Sequence, residues 1–118
     1  MGLANKYNKV KRFEFVTPKS FKYESLKDLF NNNGSDYVYT VRAFYVNNKS
    51  KYGESVVAVT DEQMVNLPKH LNDVVKQMIL DEELVNAVNK GAFGFKIYPY
   101  ESKDGKIYYS VNWIDIVF

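Results

Sequence analysis

A chain of 118 residues is long enough for one compact domain with a single core and too short for two. With 46% hydrophobic and 25% charged residues it has the composition of a soluble globular protein, which sets disordered and membrane classes aside; having no Cys, it also excludes disulfide scaffolds, thiol nucleophiles and Cys-based zinc sites. Net charge is +2, yet residues 1–60 hold ten Lys and Arg against five Asp and Glu, net +5, while residues 61–118 hold six against nine, net −3. A basic first half suits a polyanion if it forms one face.

From the N-terminus, "MGLANKYNKVKRF" is polar and basic and lacks the apolar stretch of a signal peptide. No run approaches the roughly 20 apolar residues that span a bilayer, so a cytoplasmic protein away from membranes is expected. "VKRFEFV" at 10–16 reads as a first strand, closed by the turn signal "TPKS". Residues 25–36, "SLKDLFNNNGSD", read as one helical turn running into a polar loop. "YVYTVRAFYV" at 37–46 is rich in aromatic and β-branched side chains and reads as a strand, which "NNKSKYG" turns into another, "ESVVAVT", at 54–60.

Thr60 and Gln63 have the spacing of a capping box, predicting a helix start. Pro68 suits the first turn of a helical segment, and Leu71, Val74, Val75, Met78 and Ile79 fall at i, i+3, i+4, i+7 and i+8, an apolar stripe facing a core. "DEELVNAVNKG" restarts the helix with acids in its first turn and stops at Gly91, while Gly94 reads as a strand position needing close approach. "FGFKIYPYES" and "KIYYSVNWIDIVF" flank Asp104-Gly105, a two-residue hairpin signal. That turn sets Tyr100 against Tyr109, Tyr98 against Val111 and Lys96 against Trp113 on one face, with Phe95 against Ile114 and Phe93 against Ile116 on the core face. Pro99 marks an edge or a bulge.

The order strand, strand, strand, helix, strand, strand predicts a mainly β protein. It is the chain order of the OB-fold, a five-stranded Greek-key barrel with a helix between strands 3 and 4. Catalytic chemistry finds little support. His70 is the only histidine and reads as a solvated or helix-capping side chain, and Asp81, Glu82 and Glu83 read as first-turn acids before a magnesium site. No GxxxxGK[ST] occurs and "GAFG" is too short for a dinucleotide fingerprint. No metal, cofactor or catalytic residue is assigned.

The binding candidates come from parity. Arg42 in strand 37–46 is costly to bury unpaired, so it points outward, and Phe44 with it, while Tyr45 faces the interior. An exposed Phe beside an exposed Arg can stack on a base and grip its phosphate. Lys49, Lys51 and Tyr52 in the following turn extend this surface, since OB-folds bind oligonucleotides or oligosaccharides on strands 2–3 and adjoining loops. Lys103 and Lys106 occupy the second hairpin tip, and Arg12, alternating with Phe13 and Phe15, adds a contact from the first strand. Lys96, Tyr98, Tyr100, Tyr109 and Trp113 form a face for stacking or for a subunit interface.

Segments from "RFEFVTPKSFKYESL" through "NNKSKYGESVVAVT" and "VNLPKHL" to "GFKIYPY" and "YYSVNWIDI" resemble the small single-stranded-DNA-binding proteins of tailed phages infecting lactic acid bacteria. The resemblance implies an OB-fold homo-oligomer, a dimer or tetramer, that binds single-stranded DNA with little sequence preference in phage replication or recombination, in the host cytoplasm. Lys49, Lys51 and Tyr52 lie in a matching segment. Bacterial relatives resemble a barrel followed by an acidic tail ending in "PF", whereas this sequence ends at "WIDIVF", so replication or recombination proteins are expected to meet the barrel surface. The rival readings are a carbohydrate or protein interaction module using the same aromatics and, third, a nuclease.

Overall fold

The computed structural model describes residues 13–47 and 53–117. In chain order these form β1 (Tyr23–Ser25), α1 (Leu26–Asn33), β2 (Tyr39–Asn47), β3 (Ser55–Thr60), β4 (Met64–Asn66), a 3-10 turn (Lys69–Leu71), α2 (Asn72–Leu80), α3 (Glu82–Asn89), β5 (Phe93–Glu101) and β6 (Ile107–Asp115). The strands make one mixed sheet in the order β1-β4-β3-β2-β5-β6, parallel only between β1 and β4. The fold is mainly β, with six strands among the described residues where five are expected. Of the expected first strand, residues 13–16 run without strand pairing and residues 10–12 lie outside the described residues. Among the described residues, no helix is long and apolar enough to cross a membrane.

Strand β2 is the corner that curls the sheet into a half-barrel. Its first residues pair with β5, Tyr39 with Phe95 and Thr40 with Gly94, and from Val41 onward it pairs with β3. Gly94 is required at that seam, because a Cβ there would stand 2.3 Å from the Tyr39 carbonyl oxygen. Inside the curl Val41, Phe44, Val56, Ala58, Phe95 and Ile97 are buried; the 3-10 turn adds Leu71, α2 adds Val75, and α3 adds Val85 and Val88.

Local chemistry explains several element ends. Ser25 caps α1 by accepting from the Asp28 N–H at 3.1 Å, and Asp81 caps α3 by accepting from Glu83 and Leu84. At the far end of α3, Gly91 at φ 72° makes the left-handed turn, with Ala92 N–H on the Ala87 carbonyl and Gly91 N–H on that of Val88. The helix expected at Thr60 is instead a tight turn into β4. Thr60 Oγ1 accepts from the backbone of Glu62 and Gln63, and the Thr60 N–H donates to the Gln63 carbonyl. A hydroxyl followed three residues later by an amide side chain serves this turn as readily as a helix start, and the backbone pairing of β4 with β3 decides between them.

The β5–β6 hairpin departs from the expected register by one residue. Phe95 faces Trp113, Ile97 faces Val111 and Tyr100 faces Tyr108. The cause is the turn: Gly105 at φ 82° sends its N–H to Ser102, and the Ser102 N–H reaches the Lys106 carbonyl. The connection is therefore a three-residue loop, Lys103 to Gly105, with Gly at the left-handed position, not a two-residue one. Shifting a register by one residue exchanges the side chains that share a face.

Candidate functional site

A β-bulge overturns the parity placement of Phe44. Val41 pairs with Thr60 and Ala43 with Val59, leaving Arg42 as the extra residue. Alternation restarts one residue late, so Val41 and Phe44 both point inward, Phe44 only 3% exposed. Phe44 sits edge-on to Trp113 at 5.7 Å and to Phe13 at 6.2 Å, a core ring with no access to a base. Tyr45, expected inside, meets the Tyr23 hydroxyl at 2.5 Å and Met64 Sδ at 3.6 Å. Burial, then the Tyr23 contact, pushes its phenol well above the ordinary range.

Arg42 is half-buried, its Nε 2.5 Å from Asp61 Oδ1. It also lies across Gly91, where a Cβ would stand 2.9 Å from Nη1, so the guanidinium is held at the C-terminal end of α3, where a cation is favoured. Its charge is already matched within the fold. The cleft it lines with Glu14, Phe15, Val88 and Asn89 shares no residue with the groove described below. Arg12, Lys49, Lys51 and Tyr52 lie outside the described residues.

The register of β5–β6 divides the second aromatic set. Trp113 stacks on Phe93 at 5.7 Å and Tyr109 packs on Phe30 at 5.5 Å, so both belong with the core rather than with an open face. Tyr98 and Tyr100 remain on the opposite face with Lys96, and Tyr108 joins them there from β6. All three tyrosines are exposed. They form a ladder, Tyr98 to Tyr100 at 6.3 Å and Tyr100 to Tyr108 at 5.9 Å, the second pair stacked. At the hairpin tip Lys103 and Lys106 are exposed. The tip is ordered by Asp104, which accepts from the Ser102 hydroxyl, from the Lys106 N–H at 3.1 Å and from the Tyr108 hydroxyl at 3.5 Å. These donors, the Ser102 hydroxyl foremost, hold the Asp104 carboxyl below the usual carboxylate range.

The ladder runs into an open groove of about 580 Å³. Leu26, Leu67, Pro68 and Ile107 give it an apolar lining, Tyr100 and Tyr108 give it exposed rings beside core-packed Tyr109, and Lys27, Lys69 and His70 bring nitrogen to its rim. Neither Asp nor Glu lines it. An apolar trough with flat rings and cationic edges fits a ligand that is planar and apolar in one part and anionic in another.

Lys27, Lys69, His70 and Tyr108 were not among the expected site residues. The groove joins α1, the end of β4, the 3-10 turn and the hairpin, elements distant in sequence, so spacing alone carries no trace of it. Tyr108 had a signal: "KDG" fits a three-residue loop with Gly last, and that reading yields the observed register. Comparison with protein-family models, with curated proteins and with solved structures finds no match to this chain.

Proposed function

We propose that the chain is a non-catalytic, sequence-tolerant binder of single-stranded DNA built on an OB-type barrel. The observation that carries this reading is the exposed ladder of Tyr98, Tyr100 and Tyr108 leading into a groove rimmed by Lys27 and Lys69 and lined by no carboxylate. Rings take bases by stacking, worth about 1–3 kcal/mol per base, and lysines track the phosphates and release counterions.

The chain order supports the barrel type. Counted from β2, three strands are followed by helices and then two strands, the order expected for an OB-fold with β1 as an addition at one edge. In that count the two loops that OB-folds use for ligands are the β2–β3 connection, which carries Lys49, Lys51 and Tyr52, and the β5–β6 tip with Lys103 and Lys106. The phage-protein resemblance extends the reading to protecting exposed strands during DNA replication or recombination.

The test is a fluorescence-anisotropy titration of labelled oligo-dT at several salt concentrations. Tight binding at low salt, a steep linear fall on a log–log salt plot and weak competition by duplex are expected. Binding that ignores salt would transfer the site to an uncharged chain such as an oligosaccharide, and degradation of the DNA in magnesium would make the protein a nuclease.

A further inference from the structure

Resting on the single-strand reading of the groove, we propose that His70 belongs to the site as a proton-gated contact: once protonated, its imidazole gives a DNA phosphate one more cation, so single strands bind more tightly in mild acid. His70 sits on the 3-10 turn, itself exposed, with Nε2 2.9 Å from the Oγ of buried Ser110 on β6. Its ring stands edge-on to Tyr100 of β5, centroids 6.3 Å apart at 86°. A serine hydroxyl both donates and accepts, so this bond survives either protonation state and keeps the ring at the end of the tyrosine ladder. With Nε2–H donating to Ser110, protonation adds a charge and an Nδ1–H donor without requiring the ring to move.

The surroundings favour an anion there. Lys27 comes from α1, Lys69 from the same turn, Tyr100 from β5, and Tyr108 and Tyr109 from β6, while β4 brings neutral Asn66. Asp73 on the adjoining α2 is exposed and does not line the groove. No carboxylate in the groove competes with a phosphate for the imidazolium. In its protonated form the imidazole adds a third cation to the groove beside Lys27 and Lys69.

The chain has one histidine, so its ring-proton NMR signal is unambiguous in the untagged protein. If the proton tightens DNA binding, bound DNA must tighten proton binding by the same factor. The His70 titration midpoint should therefore rise when oligo-dT is saturating, and oligo-dT affinity should increase about threefold or more from pH 8 to pH 5.5, with a salt slope steeper by about one ion. In His70→Gln the slope should stay constant across this range and the affinity gain should disappear. A midpoint that oligo-dT leaves unmoved, or an unchanged pH dependence in His70→Gln, overturns the proposal. Absence of oligo-dT binding at both pH values overturns the single-strand reading itself, and the proton gate with it.

Discussion

Strand β2 and the β5–β6 hairpin are both rich in aromatic side chains, and they use their rings in different ways. From β2, Tyr39 and Phe44 turn into the core; Tyr39 stacks on Phe95 at 5.1 Å and its hydroxyl donates to the Leu29 carbonyl at 3.3 Å. Burial raises its phenol above the ordinary range. The hairpin splits its set, sending Phe93, Phe95 and Trp113 inward and leaving Tyr98, Tyr100 and Tyr108 in the open. Ring content alone therefore says nothing about binding. A ring becomes a ligand platform when register places it on the side that nothing covers.

The contrast breaks most sharply at Phe44. Phe44→Ala empties a buried ring site and should cost about 3–5 kcal/mol in urea unfolding, while protein that remains folded keeps its oligo-dT affinity. Loss of DNA binding without loss of stability would return Phe44 to the surface role expected from parity. Tyr100→Ala should do the reverse: affinity for oligo-dT falls about 10- to 100-fold, the loss of one stacked base, and the unfolding midpoint moves little. Equal affinity in the variant would remove the ladder from the site.

The smallest effect sharpens the hairpin side alone. Because the Asp104 carboxyl is held below its usual range, the order it gives the tip is present above about pH 4, the ordinary value for an unfolded Asp, and is lost as pH falls through the lower folded value. Amide shifts of Gly105 and Lys106 should move together in that acid window, and Asp104→Asn should abolish the step. A step that persists in the variant would assign the tip's order to another group.

Features decided within a few residues were legible in the sequence. The acids opening α3 and the stop at Gly91 follow from caps and backbone sterics that any context would impose. Features decided by pairing were not. Whether Thr60 and Gln63 begin a helix or a turn depends on β4 finding β3, and the side taken by Phe44 depends on one extra residue at Arg42. A bulge has no composition of its own, yet it reverses every inference drawn from alternation beyond it. The candidate site was half legible, since Tyr98, Tyr100, Lys103 and Lys106 stand in the open as expected, whereas the opposite wall of the groove comes from chain far away.

The seam at β2 has a mechanical meaning. Backbone pairing between β2 and β5 is limited to Tyr39 with Phe95 and Thr40 with Gly94, while β5 and β6 pair along their whole length. A load applied to the hairpin tip therefore acts, through a long, stiff arm, on a short backbone ladder and on the core contacts of Phe95, Ile97 and Trp113. Force or thermal opening will peel the hairpin away as one piece before it separates its own strands, so amide exchange along β5 and β6 should share a common rate. A strand of DNA seated between the hairpin and the 3-10 turn would brace that arm from its outer side and slow the common rate throughout.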